Sequence, residues 1–261
     1  MKPVDILLTT YHRKNMTQMT LESIITRTKT PYRLIVVDNG SEPEMQDMLR
    51  EYQRKGFIKV LCLLDRNWGL EYAKNTGLRF VESEPYFVNT DNDLLIESPS
   101  GGTDWLAKMI RLMDNNPKYG AISARPQCLI GVNNIFSKDK EVGQFYVCGG
   151  SYRIMRTDLV KKYKWRDEYN DSRSEEWRIC GEIRRDGFET GYARDVRSFH
   201  MFGKGNWGYK DGVPHYHAYT QYAKISDDDT PFDPITCIPE REQYEPYETY
   251  EDRLEAERPK Q

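Results

Sequence analysis

Long hydrophobic runs are missing from this chain. The longest uninterrupted apolar stretch is the five residues from Val60 to Leu64. A membrane-spanning helix needs about 20, so the sequence contains no candidate span. A secretory signal is not expected either. The chain opens Met1-Lys2-Pro3-Val4-Asp5, where a secretory signal would place roughly 7–15 apolar residues. Cysteine is scarce: five residues, at positions 62, 128, 148, 180 and 237, with no CxxC pair. An odd count without that spacing argues against a disulfide framework and a structural zinc site. Buried, reduced thiols and a cytoplasmic setting are the expectation. Net charge is small as well, 38 basic against 41 acidic side chains, for a total of −3.

What is present is an alternation of strand and helix patterns. Val4 to Thr10 reads as a buried strand, and Tyr32 to Asp38 as a second. Ile58 to Leu64 and Tyr86 to Thr90 read as the third and fourth. Between them lie helical spacings over Asn15–Thr26, Glu44–Lys55 and Leu70–Val81. That β-α order predicts a mostly parallel sheet covered by helices on both faces. Ligands of such sheets bind at the carboxyl ends of the strands. Further helices are predicted over 104–116, Ile154–Lys162 and Glu175–Asp186, with strand-like pieces across 121–148. The stretch after residue 200 is rich in Gly, aromatics and His, and from Ser226 it becomes acidic with Pro and Tyr. The latter reads as an extended or disordered tail.

Polar residues just after strands are the ones to inspect. Asp91-Asn92-Asp93 follows the fourth strand, and two carboxylates so spaced can reach one hard divalent cation; a plain turn is the simpler alternative. Asp38 ends the second strand, where it can accept from a base N–H or merely form an Asp-Asn-Gly turn. Asn67 to Gly77 opens a helix in which Gly69 permits close backbone approach and Lys74 can meet a phosphate or stay solvated. Glu175-Glu176 begins a helix, a place that favours carboxylates electrostatically and would also suit a general base. His200 follows a strand-like run and can complete a metal shell beside Asp93 or serve packing. His215 and His217, flanking Tyr216, are weaker candidates for metal or acceptor contacts.

Together these pieces resemble the GT-A glycosyltransferases, specifically the inverting family 2, over roughly residues 3–203. Thr9, Tyr11 and Arg13 resemble the first nucleotide loop, although Tyr11-His12-Arg13 stands where Tyr-Asn-Arg is usual. Val36 to Ser41 resembles the second loop. Asn67-x-Gly69-x-x-x-Ala73-x-Asn75-x-Gly77 is similar to the N-x-G-x-x-x-A-x-N-x-G stretch. Asp91-Asn92-Asp93 resembles the DxD element, and Cys148-Gly149-Gly150-Ser151 the acceptor-side Gly-Gly. Glu175-Glu176 resembles the Glu-Asp helix, with Glu176 in the place of the Asp.

The resemblance implies an α/β GT-A fold and an inverting transfer from a nucleotide-sugar, UDP favoured. Under it Thr9, Tyr11, Arg13, Asp38, Asn67, Gly69, Lys74 and Asp91 hold the donor, and Trp207 caps it. Asp91, Asp93 and His200 hold Mn²⁺ or Mg²⁺. Glu176, or else Glu175, takes the acceptor proton. A sugar-nucleotide nucleotidylyltransferase would call for a Gly-rich loop after the first strand, which Thr9-Thr10-Tyr11-His12-Arg13 is not. A catalytically inactive binding module would not need both carboxylate pairs.

Charge refines the organisation. Residues 226–261 carry 12 acidic and 4 basic side chains, a net of −8, which leaves +5 on residues 1–225. The expected division is a GT-A domain over 1–225, with a nucleotide-sugar half (1–100) and an acceptor half (101–225), followed by the acidic tail 226–261. A mildly basic body suits a diphosphate and keeps an anionic acceptor open, whether glycan, protein, lipid-linked or nucleic acid.

Overall fold

The computed structural model describes residues 2–97, 104–126, 141–165, 175–201, 209–210 and 213–214. Strand β1 (Val4–Thr10) is buried along its whole length. Helix α1 (Lys14–Arg27) leads to β2 (Tyr32–Asp38), α2 (Pro43–Arg54) to β3 (Ile58–Leu63), and α3 (Leu70–Leu78) to β4 (Tyr86–Asp91). These four strands lie parallel in the order β3-β2-β1-β4. This is the half of the sheet that the β-α alternation predicts.

The second half is mixed. It contains β5 (Leu94–Ile96), α4 (Trp105–Asn115), β6 (Tyr119–Pro126), β7 (Val142–Gln144), β8 (Arg153–Arg156), α5 (Thr157–Tyr163), α6 (Glu175–Arg185) and β9 (Glu189–His200). The sheet continues from β4 through β8, β6 and β9 to β5, with β7 also on β9. β8 runs antiparallel to both β4 and β6, whereas β6 and β9 are parallel. A separate two-stranded pair joins β10 (Tyr209–Lys210) to β11 (Val213–Pro214).

Side chains alternate across the sheet as a two-residue period demands. Ile6, Leu8, Leu34 and Val36 enter one core with Leu21, Ile24, Met45, Leu49, Trp105 and Met109. Leu7, Ile35 and Val37 enter the other with Ala73, Leu159, Ile179 and Ile183. Helices α1, α2 and α4 therefore cover one face, and α3, α5 and α6 the other. Among the described residues no helix is long and apolar enough to cross a membrane.

Two elements depart from the sequence expectation. Ile154–Lys162 was expected as one helix, but Arg153–Arg156 is strand β8 and only Thr157–Tyr163 is helical. A short apolar pair such as Ile154-Met155 does not distinguish strand from helix, and here β4 and β6 offer it backbone partners on both sides. Helix α3 ends at Leu78, short of Val81, as Phe80 and Val81 donate to Gly77 and Leu78 in a tighter final turn. Among the described residues Cys148 and Cys180 are buried free thiols, and Cys62 is a half-buried one. Cys128, Cys237, Trp207, His215, His217 and the 226–261 tail lie outside the described residues.

Candidate active site

Register gathers the site at the carboxyl ends of the central strands. β1 pairs with β4 so that Thr9 lies opposite Asp91, and with β2 so that Thr10 lies opposite Asp38. By alternation Thr9, Asn89 and Asp91 face the side covered by α3 and α6. Thr9 Oγ1, Asn89 Nδ2 and Asp91 Oδ1 are buried there without a hydrogen bond.

Asp38 is fully buried, and its lone pairs are already taken. Oδ1 accepts from Thr10 Oγ1 at 2.9 Å and Ser41 Oγ at 2.5 Å. Oδ2 accepts from the Ser41 amide at 3.0 Å and Gln46 Nε2 at 3.2 Å. A carboxylate offers about four acceptor positions, so Asp38 builds the loop rather than presenting a free oxygen to a base. Gly40 explains its own place in that loop: its φ is +81°, and a Cβ there would run into the backbone of Arg66. Asn67 is likewise used internally. Its Oδ1 accepts from Asn39 Nδ2 at 2.8 Å and from the Gly69 amide at 2.9 Å, clasping the loop to the start of α3.

The first loop is bent toward the Asp-x-Asp turn. His12 and Arg13 both adopt left-handed backbone, with φ of 52° and 57°. Asn92, the middle residue of the turn, fixes that bend by donating to His12 O at 3.1 Å and Thr17 Oγ1 at 2.8 Å. Arg13 Nη1 then meets Asp93 Oδ2 at 2.5 Å. On the other side β5 pairs with β9, Leu94 opposite His200. That pairing carries His200 Nε2 to 3.2 Å from Asp93 Oδ1. Burial would push the Asp93 carboxyl up, but His200 and Arg13 outweigh it and hold it below its ordinary range. Tyr11 remains exposed, its ring beside that of His12.

Behind the turn lies a buried group of four charges. Lys74 is fully buried. Its ammonium pairs with Glu175 Oε1 and lies 3.4 Å from Asp91 Oδ1. The expectation that Lys74 addresses a donor phosphate does not match this position between two carboxylates. Arg153, also fully buried, reaches Glu175 Oε2 at 3.3 Å. Burial raises the Glu175 carboxyl, yet Lys74 and Arg153 together bring it down to about 2. Asp91 goes the other way. Burial, then Glu175 and Asp93, push it up to about 6 against the pull of Lys74. Its side chain is still 30% exposed, so one face remains open.

Glu176 differs from its neighbour in kind. It is only partly buried, on the first turn of α6, and its charge acts on Lys74, Asp91 and Arg153. It therefore sits beside the same group without being consumed by it. Gly150 closes in from the acceptor side: a Cβ there would lie 2.9 Å from Asp91 Oδ2. Arg153 is the residue that sequence reading passed over. The available signal was an arginine inside an apolar strand run, since arginine is almost never buried without a partner.

The donors at the turn suit a hard divalent cation. Among the described residues no three acidic, imidazole or thiol groups close a metal cage. Cations that bind together with substrate phosphates need only one or two protein ligands. Asp93 and His200 could supply such a pair, with the exposed face of the Asp91 carboxylate beside them.

Comparison with known proteins bears on the family and the fold. The family model described as Glycosyl transferase family 2 matches residues 5–210. Glycosyltransferase GlyA of Streptococcus pneumoniae is 26% identical over 151 residues, 57% of this chain and 19% of that protein. Poly(ribitol-phosphate) beta-N-acetylglucosaminyltransferase TarP of Staphylococcus aureus is 28% identical over 101 residues, 37% of this chain and 30% of that one. Among solved structures, the mannosyltransferase PcManGT of Pyrobaculum calidifontis, in complex with GDP-Man and Mn²⁺, superposes with a TM-score of 0.61 at 19% identity, covering 76% of this chain and 56% of its own. S. aureus TarS 1–349 in complex with UDP-GlcNAc gives 0.60 at 14% identity, covering 84% and 64%. The chain thus spans less than two thirds of the length of these relatives. At such identities the superpositions establish a shared GT-A fold, and with a family match running from the first strand past the last strand of the main sheet, the chain belongs to glycosyl transferase family 2.

Proposed function

We propose that this chain is an inverting glycosyltransferase that moves a sugar from a nucleotide-sugar, a UDP-sugar in the first instance, to an acceptor hydroxyl. The observation that carries this reading is the division of labour between adjacent glutamates. Glu175 is locked between Lys74 and Arg153, and a carboxylate held down to about 2 is a poor proton acceptor at neutral pH. Glu176 is left partly open beside the Asp91–Asp93 turn. It serves as the general base that takes the acceptor proton during in-line attack.

Asp93 and His200 would hold Mn²⁺ or Mg²⁺, with Asp91 at its open face. When bound, the cation neutralises charge developing on the departing diphosphate. Arg13 holds Asp93 in place and adds positive charge at the same spot. Tyr11 offers an exposed ring to the base, and Thr9 an unpaired hydroxyl to the donor. Trp207 remains a proposed donor cap on sequence grounds. Solved relatives in complex with UDP-GlcNAc and with GDP-Man and Mn²⁺ support both the donor class and the cation. The +5 charge of residues 1–225 favours anionic ligands.

A thermal-shift screen of UDP-, GDP-, CMP- and dTDP-sugars with Mn²⁺ tests the reading, because a ligand of the native state raises Tm by mass action. UDP-sugars are expected to shift Tm, and to be hydrolysed slowly with loss of turnover in EDTA. A shift confined to GDP-sugars would replace the donor. Binding without turnover under any condition would favour an inactive binding module.

A further inference from the structure

Arg153 is one of the two largest fully buried side chains, and nothing in the proposed reaction uses it. We infer that it is a positioning residue, the joint that fixes helix α6, and with it Glu176, against the strand end that carries Asp91 and Asp93. The inference rests on Glu176 being the base.

Three nitrogens of one guanidinium reach three different elements. Nε donates to Asn89 Oδ1 of β4 at 3.1 Å. Nη1 donates to Cys148 O, in the segment leading to β8, at 3.0 Å. Nη2 donates to Glu175 Oε2 of α6 at 3.3 Å. The antiparallel register sets this up by placing Arg153 opposite Asn89. The bridged segment is the one that carries Gly150 to the edge of the Asp91 carboxylate. It is held from its far side too, by Ser123 Oγ donating to Gly149 O and by the Gly149 amide donating to Tyr192 Oη. Arg153 thus joins the donor-side strand, the acceptor-side glycines and the base helix at one point.

Charge alone does not require an arginine here. Lys74 and Arg153 balance Asp91 and Glu175, and a lysine at 153 would balance them equally well. A lysine is a point charge on a flexible stem, whereas the planar guanidinium presents a rigid fork that can hold three acceptors at once. Two substitutions separate the roles. R153K keeps the charge and loses the fork. R153M/E175M removes one charge of each sign, so the remaining Lys74 and Asp91 stay paired; replacing a buried ion pair by apolar side chains is often neutral for stability.

The experiment is hydrogen exchange of peptides spanning 175–185 in the full chain, together with UDP release from UDP-GlcNAc in Mn²⁺. Both variants are expected to keep Tm within a few degrees of wild type. Exchange at the start of α6 should rise at least about tenfold, as a local opening. The kcat should fall about 10- to 100-fold with KM for the donor unchanged, since a displacement near 1 Å is worth about that much. Wild-type exchange with wild-type kcat in either folded variant overturns the inference and leaves Arg153 a charge-balancing residue. A wild-type chain that releases no UDP counts against the donor reading, and the exchange comparison then decides Arg153 by itself.

Discussion

Glu175 and Glu176 are neighbours of the same type, and changing each to glutamine should give opposite signatures. Glu175→Gln removes a buried carboxylate and leaves Lys74 and Arg153 sharing Asp91 alone. Breaking one partner of a buried pair costs about 3–5 kcal/mol. A second route gives a similar figure. The carboxyl falls from an ordinary 4.5 to about 2 on folding, and each pKa unit is worth about 1.4 kcal/mol, which makes about 3 kcal/mol. For a chain of this size that corresponds to a Tm lower by about 6–12 °C. The pH dependence follows from the sign. A carboxyl depressed by folding stabilises the native state above 4.5 and loses that contribution as pH falls toward 2. Glu175→Gln should therefore unfold at lower temperature at neutral pH and lack the loss that wild type shows between pH 4.5 and 2. Glu176→Gln should leave Tm within about 2 °C, since a partly exposed side chain that makes no buried ion pair of its own contributes within about 0.5 kcal/mol. Its turnover should fall about 10²–10⁴-fold, the usual share of a general base. Scanning calorimetry at several pH values and UDP release from a donor that shifts Tm measure both. A Glu176→Gln enzyme with full turnover, beside a Glu175→Gln enzyme that is inactive at unchanged Tm, would refute the assignment and exchange the two roles.

Asp93→Ala should abolish Mn²⁺-dependent UDP release and the extra Tm shift that Mn²⁺ gives with UDP; turnover near wild type would remove Asp93 from the metal set. Gly77→Ala should destabilise despite the better helix propensity of alanine, worth about 1 kcal/mol. The new Cβ would overlap Leu7 Cδ1 and lie 2.9 Å from Val37 Cγ2, and overpacking costs about 1–3 kcal/mol; a rise in urea midpoint would show that the α3–β1 contact can relax. Asp38→Ala strips four donors of their acceptor. It should lower stability by about 1–3 kcal/mol and weaken UDP binding through the loop, and unchanged affinity in calorimetry would detach that loop from the donor.

The first half of the molecule was legible because its signals are local. Val4–Thr10 and Tyr32–Asp38 each carry a short aliphatic run, Ile6–Leu8 and Leu34–Val37, bounded by turn residues downstream, and the structure keeps both at those bounds. The Asp-x-Asp turn and the glutamate pair stood out because each falls at the end of a recognisable element. The second half depends on distant pairings. Leu94–Ile96 becomes a strand only because Ser198–His200 lies beside it, and Arg153 becomes central only because β8 inserts between β4 and β6. Exposure was equally hidden. Asp38, Lys74 and Glu175 read as ligand-facing polar residues, yet packing turns all three inward.

The pairing of β5 with β9 also bears on how the molecule comes into being. Asp93 leaves the ribosome long before His200, and until then it can have Arg13 but not the imidazole as a partner. The four parallel strands β1 to β4 can assemble from local β-α units while the rest of the chain is still being made. The catalytic edge must wait for a partner strand from the far end of the sheet, a contact of high sequence separation and correspondingly slow to form. A newly made chain would therefore have a sheet before it has a working site. A nascent chain that stalls short of residue 200 would have the parallel half of the sheet without the full β5–β9 pairing.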